Sequence, residues 1–107
     1  MTGRRGDPHR LLMQAVRAEA ERDGIARVTA NSSEAWASAT FRGARHGLSL
    51  HLDGADADNR AARLAERLGA VEFRLPGHLV ADITVTGRST TPEGAAMEIE
   101  ALTLEDG

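Results

Sequence analysis

Apolar residues recur at helical spacing near the start of the chain. Leu12, Val16 and the positions beside them repeat every three to four residues, which indicates one apolar face of a helix. Asp7 can cap this helix and Pro8 suits its first position. Gly24 lies where a residue with positive φ would end it. The pattern predicts a first helix that begins at Asp7 and ends before Gly24.

A second segment has the same period and predicts a second helix. Its apolar face consists of Ala61, Leu64, Ala65 and Leu68. Asp56 or Asp58 can cap its beginning, and Gly69 is placed to end it.

Elsewhere the apolar positions alternate with polar ones, which is typical of strands. The predicted strands are 25–30, 34–42, 46–52, 70–75, 78–87 and 95–104. We expect a tight turn at 43–45 and breaks at Pro76-Gly77 and at "TPEG" (91–94). The alternation slips by one position in the last strand, which predicts a β-bulge or an end to pairing near Ala101.

Each half of the chain therefore reads as a helix followed by three strands. The two predicted helices also end in similar sequences, "AERDG" (20–24) and "AERLG" (65–69), which are 45 residues apart. This predicts an α+β fold of two α-β-β-β units, a possible internal repeat, in which both helices cover one face of an antiparallel sheet. Chance similarity between alanine- and arginine-rich helices is the alternative explanation.

The chain length predicts one domain. Of the 107 residues, we expect 1–6 to form a flexible N-terminal tail and 7–107 a single domain. The chain has no cysteine, which excludes disulfides and thiolate chemistry in it and suits a reducing compartment. No apolar run approaches the length of a membrane span, so we expect a cytoplasmic protein without a membrane partner. All 13 basic residues are arginine and none is lysine. Together with the abundance of alanine and glycine, this suggests a GC-rich bacterial genome.

The charges are unevenly distributed. Residues 1–50 hold eight arginines and five acidic residues (+3), whereas residues 51–107 hold five arginines and eleven acidic residues (−6). Such asymmetry suits self-association, although two solvated surfaces would explain it equally well. The net charge is −3 and there are only three aromatic residues, so the chain offers neither a large basic surface nor an aromatic stacking surface for nucleic acid. We therefore expect no nucleic acid as a partner.

His51 and Asp53 lie two positions apart and should share a strand face. Such a pair can support general-base chemistry, but Asp53 precedes a turn, and the solvent side of an ordinary strand is the better interpretation. No two histidines have the spacing of a metal site, so we expect no metal. A site assembled from His51, His78 and Asp82 is kept as an alternative, because the strand alternation puts His78 and Asp82 on one face.

Arginines 42 and 45 sit at a predicted hairpin tip, where they could bind an anion or simply keep the tip solvated. The candidate ligand-binding residues are Arg42, Arg45, His51, His78 and Asp82. No glycine-rich phosphate loop links a strand to a helix, and we expect no cofactor.

Trp36 is the one tryptophan of the sequence. In the predicted strand 34–42 its side chain should lie on the face opposite to that of Phe41, with only small side chains beside it. It is either a core residue or the centre of a contact surface, where tryptophan is enriched. The candidate interface residues are Trp36, Ser38, Thr40 and Val80.

These features favour a small non-enzymatic interaction domain, adaptor, chaperone-like or regulatory, that acts as a homodimer through the open sheet face or an edge strand. The element order resembles that of the small acidic type III secretion chaperones, which are dimers, but this chain lacks their final helix. The alternative is a small-molecule or anion-binding domain, or a modest enzyme, with a pocket between the helices and the sheet.

Overall fold

The structure, a computed structural model, describes residues 7–106, so the predicted tail at 1–6 lies outside the described residues. Helix α1 spans Pro8–Ala20 and runs into a short 3-10 helix, Glu21–Asp23; helix α2 spans Ala57–Ala70. Asp7 caps α1, because its carboxylate accepts a hydrogen bond from the His9 N–H at 3.0 Å. Gly24 follows with φ +140°, a conformation that favours glycine, and ends the helical segment.

Five strands form one antiparallel sheet. They are β1 (Ala26–Ala37), β2 (Arg42–Asp53), β3 (Arg74–Leu75), β4 (His78–Thr91) and β5 (Gly94–Glu105). Their order across the sheet is β1-β2-β5-β4-β3. Helix α1 packs on β1 and β2, and α2 packs on β2, β4 and β5, so that both helices cover the same face. The predicted α+β fold with an antiparallel sheet is confirmed.

The core lies between the helices and alternate residues of the central strands. Sheet and helix residues that are almost completely buried there are Leu12, Val16, Leu48, Leu50, Leu52, Leu64, Leu68, Met97 and Ile99. These are the positions with helical spacing in the helices and two-residue spacing in the strands, which explains why the pattern predicted them. Among the described residues, no helix is long and apolar enough to cross a membrane.

The first half contains two long strands, not the predicted three. Segments 25–30 and 34–42 belong to one strand, β1, in which the register shifts between Ala30 and Ser32 and leaves Asn31 as an extra residue. The Asn31 side chain donates hydrogen bonds to Ser49 at 2.6 Å and to Glu98 at 3.1 Å. This bond across two strands holds the bulge, so the polar stretch bends the strand without ending it.

The hairpin turn is also displaced from its predicted place at 43–45. It lies at 38–41, where the Ser38 hydroxyl accepts hydrogen bonds from the N–H groups of Thr40 and Phe41 at 3.3 and 3.0 Å. Gly43 instead lies inside β2, opposite Trp36. The serine supplies the turn chemistry that we had assigned to the glycine.

In the second half, the predicted bulge lies in a different strand. Strand β5 pairs with β4 to its last residue, and Ala101 and Thr103 are both buried on the helix side. The register shifts lie in β4, at Ala81 and at Thr86. The slip in the sequence pattern arises because Thr103 faces the core and its neighbours Leu102 and Leu104 face away from the helices.

The observed element order bears on two predictions, the resemblance to the secretion chaperones and the internal repeat. The order is helix, two strands, helix, three strands, so it departs from the order that resembled the secretion chaperones. At the spacing of 45, Val28 in β1 corresponds to Phe73, which lies outside the strands. The internal repeat therefore stays a prediction.

Candidate functional site

The structure distributes the five predicted ligand-binding residues over the sheet. His51 pairs with Ala96 of β5, whereas Asp82 pairs with Leu102, six residues further along the same strand. At the rise of a strand, that separation is about 20 Å. The predicted combination of His51 with Asp82 is therefore not brought together.

Of the other members, His78 and Asp82 border one groove at the edge of β4, and Leu102 lies between Asp82 and Arg45. The bulge at Ala81 puts His78 and Asp82 on opposite faces of the sheet, so the expectation that they share a face is wrong. Arg42 and Arg45 likewise alternate between the two faces of β2. Within residues 7–106, no three acidic or histidine side chains are placed to hold a metal ion together.

His51 and Asp53 do share a face, and it is the face without helices. Asp53 lies 3.5 Å from the Arg27 guanidinium, and both side chains are more than half exposed. An exposed pair of this kind contributes little to stability. The arrangement fits the solvent side of a strand.

A histidine pair that the sequence analysis did not single out lies beneath the start of α1. The rings of His9 and His46 are stacked, with their centroids 5.1 Å apart and their Nδ1 atoms 2.8 Å apart, so that one ring donates to the other. The Nε2 atom of His46 lies 2.9 Å from the Thr103 hydroxyl. Burial, and then the nearby His9, lower the pKa of His46 to about 4, so His46 is neutral at pH 7.

The line from Thr103 through His46 to His9 has the distances of a hydroxyl nucleophile with its base. However, Thr103 is completely buried and His46 is 2% exposed, so no substrate can reach the hydroxyl. The cluster instead fastens the start of α1 to the centre of the sheet. One signal in the sequence could have identified it: His46 has the two-residue spacing of the buried leucines of β2.

Apolar side chains cluster at one end of the open face of the sheet, the face without helices. Pairing places Trp36, Gly43, Leu104 and Leu79 in one row across four strands, with Leu102 in the next row. We call the four side chains Trp36, Leu79, Leu102 and Leu104 the Trp36 patch. Trp36, Leu102 and Leu104 are half-buried and Leu79 is 52% exposed.

Gly43 allows the row to close up. A Cβ atom there would overlap the main-chain carbonyl oxygen of Thr103 and lie 3.1 Å from Leu104 Cδ2. The Leu104 side chain thus leans over the glycine that separates it from Trp36 in the register.

The other three candidate interface residues do not share this face with Trp36. Ser38 and Thr40 form the β1–β2 turn, and Ser38 uses its hydroxyl within that turn. Val80 pairs with the buried Thr103 and packs toward the core. The residues that accompany Trp36 are leucines of β4 and β5, which only the strand pairing brings to it.

A groove of about 870 Å³ lies at the other side of β4. Its apolar wall consists of Leu68, Val71, Phe73, Leu75, Val80 and Ile83, from the end of α2, the following loop, β3 and β4. We call it the β4 groove.

The sequence matches no family model and none of the curated proteins to which it was compared.

Proposed function

We propose that this protein is a non-enzymatic interaction module that forms a homodimer through the Trp36 patch. The observation that carries the proposal is the apolar row across four strands of an otherwise polar face. Below this row, the open face carries Ser32, Ser49, Thr84, Glu98 and Glu100. A contiguous apolar area with a polar border is typical of a protein contact surface.

The charges beside the patch suit contact between two identical surfaces. The adjoining row contains Glu34, Arg45 and Asp82, with Leu102 between the last two. In a two-fold arrangement, Arg45 of each copy can meet a carboxylate of the other. Such pairing would orient the two copies and disfavour uncharged partners.

The size of the patch predicts a weak dimer. Four strands span about 20 Å across the sheet, and the stretch from Phe41 to Arg45, which pairs with Leu102, extends about 13 Å along the strands. Each copy would contribute on the order of 300 Å², or about 600 Å² for the pair, below the size of a stable interface. We expect a dissociation constant in the micromolar range or above, so that the fraction of dimer depends on protein concentration.

Light scattering over a dilution series from about 1 μM to 1 mM tests this expectation. The mass should rise from 11.4 kDa toward twice that value. Trp36→Asp and Leu79→Glu should each keep the protein monomeric throughout, and circular dichroism should show that both stay folded. Leu79→Glu matters most here, because the half-exposed leucine can be replaced without opening the core.

Ile25→Asp is the matched control. Ile25 is 75% exposed and precedes β1 at the far end from the patch, so this substitution should leave the dimer intact. A wild-type protein that is monomeric at every concentration would refute the homodimer. A dimer that survives both patch substitutions would refute this interface and direct attention to the edge of β1.

The alternative, a small-molecule or anion site between the helices and the sheet, has less support. The space there is filled by the core, and of the five candidate ligand residues only His78 and Asp82 line the groove at the edge of β4.

A further inference from the structure

Strand β4 has an outer edge that most of its length does not share with another strand. Strand β3 pairs only with His78 and Leu79, because the chain before Arg74 turns away toward α2. Among the described residues, β4 from Val80 onward pairs on one side only, with β5. The bulges at Ala81 and Thr86 leave Asp82–Val85 as a regular segment whose outward N–H and C=O groups can accept a further strand.

The β4 groove runs beside this segment. Phe73, Val80 and Ile83 are partly buried hydrophobic residues that pack against the core and leave part of their surface in the groove. Side chains alternate along a strand, so every second residue of an added strand would point toward this apolar wall. The combination of a free strand edge and an apolar groove beside a helix is the arrangement that binds extended peptides by strand addition.

The charges around the groove select the kind of peptide. Glu72 lies 3.6 Å from Arg74, which offsets its charge. Asp106 and Asp82 are two further acidic residues at the border of the groove, with Asp82 on the open-face side of β4. The last turn of α2 also lines the groove, and the carbonyl end of a helix carries partial negative charge. The border therefore attracts a cation.

We propose that the β4 groove binds an extended segment of a partner protein, with apolar residues at alternate positions and an arginine or lysine beside them. The segment adds to the outer edge of β4 at Asp82–Val85. Two copies of β4 are poor partners for each other, because pairing them would bring two acidic borders together. The chain's own first six residues, "MTGRRG", are basic but lack alternating apolar side chains.

This inference rests on the proposed class of interaction module but not on the homodimer. The apolar groove wall is formed by α2, the loop after it and helix-side residues of β4, and of the Trp36 patch only Leu79 also borders the groove. A monomeric protein could therefore still bind the segment. Measuring peptide binding on the Trp36→Asp variant as well as on the wild type keeps the two proposals separate.

The probe is a capped, fluorescently labelled peptide, RTVTVTVTR, with versions that carry isoleucine or leucine in place of valine. Fluorescence anisotropy should show saturable binding for at least one version. The acidic counterpart, ETVTVTVTE, should bind at least about tenfold more weakly, because it meets the same carboxylates with the wrong sign. Two further versions of the peptide carry N-methyl groups on alternate backbone nitrogens, one on each edge of the added strand. Their affinities should differ, because only one version blocks the N–H groups that face β4.

Asp106→Arg is the decisive protein variant, because Asp106 lines the groove, is exposed and lies outside the charged row beside the Trp36 patch. It should weaken RTVTVTVTR about tenfold or more and strengthen ETVTVTVTE. The matched control, Glu93→Arg, makes the same kind of charge change at the other end of the β4–β5 hairpin and should alter binding less than about twofold.

Amide hydrogen exchange should locate the bound peptide, with added protection at alternate residues of Asp82–Val85 and none along β1. The proposal is overturned if none of the basic peptides binds at about 1 mM. Equal binding of both N-methylated versions, or protection that maps to β1 or to the open face, overturns it as well.

Discussion

At the scale of single residues, three polar side chains are buried for distinct reasons. His46 and Thr103 bond to each other and so satisfy polar atoms that have no access to water. Arg60, 7% exposed, donates to the carbonyl oxygens of Ala20 at 3.3 Å and Asp53 at 3.5 Å. It thereby links the end of α1, the end of β2 and the beginning of α2.

His46 makes the stability of the protein depend on pH. Its pKa is lowered from 6.5 to about 4 in the folded chain, so between these values the unfolded chain binds the additional proton. This contribution is therefore constant above pH 6.5 and falls as the pH drops toward 4, by up to about 3 kcal/mol in the free energy of unfolding.

Urea denaturation at several pH values between 7.5 and 4.5 measures this loss. His46→Gln can still bond to Thr103 and should lower stability at pH 7.5, but stability should then fall less steeply with acid than in the wild type. His51→Gln, on the open face, should keep the wild-type slope. Parallel pH profiles for wild type and His46→Gln would show that His46 does not cause the dependence.

At the scale of elements, the two helices are joined by a side chain of α2. Arg67 donates from Nε to Glu19 at 2.9 Å, from Nη1 to Asp23 at 2.9 Å and from Nη2 to the Glu19 carbonyl at 3.0 Å. The Arg67 hydrogen bond is the main reason that the pKa of Asp23 is lowered. The planar guanidinium suits these contacts, whereas an ammonium group reaches fewer of them.

Replacing Arg67 should therefore loosen the contact between α1 and α2. We expect Arg67→Lys to lower the free energy of unfolding by about 1 kcal/mol and Arg67→Ala by about 2 kcal/mol, since Glu19 is largely buried beside it. Arg74→Ala is the control, because Arg74 and its partner Glu72 are both more than four-fifths exposed. Urea denaturation at pH 7 compares the three variants; equal effects of Arg67→Lys and Arg74→Ala would contradict the special role of Arg67.

At the scale of the whole molecule, the sheet is longer than the helices that cover it. Its strands reach 12 to 14 residues, or about 40 Å, whereas helices of 13 and 14 residues extend about 20 Å. The end of the sheet with Trp36 therefore projects beyond much of the helical layer. The two surfaces to which we assign interactions are uncovered for other reasons: both helices pack on the opposite face of the sheet, and β3, two residues long, leaves most of the β4 edge unpaired.

Trp36 gives a direct spectroscopic check on the first of these surfaces. It is the only tryptophan and is half-buried, so the fluorescence of the protein reports on this position alone. If two copies meet at the Trp36 patch, the emission maximum should move to shorter wavelength as the concentration rises, because the indole loses water. Ile25→Asp should show the same shift and Leu79→Glu none. An emission maximum independent of concentration in the wild type would contradict the interface.

Local patterns determined both helices, the fold class and most of the core. Cap residues, glycines and apolar spacing act over a few positions, so the limits of α1 and the buried leucines of β2 could be read from the sequence. Strand limits were harder, because the bulges at Asn31 and Ala81 depend on partners in other strands. One extra residue reverses the facing of the residues beyond it, and for that reason Val80 was assigned to the wrong face and His78 was expected to share a face with Asp82.

Tertiary structure alone decided which residues meet. His9 approaches His46 because α1 folds back onto β2, and Trp36 shares a row with Leu104 and Leu79 because β5 lies between β2 and β4. The residues brought together in this way are from 37 to 68 positions apart, a separation over which apolar periodicity carries no information. The sequence by itself determined the elements and their buried faces. The pairing of the strands decided where the histidine cluster, the Trp36 patch and the β4 groove would lie.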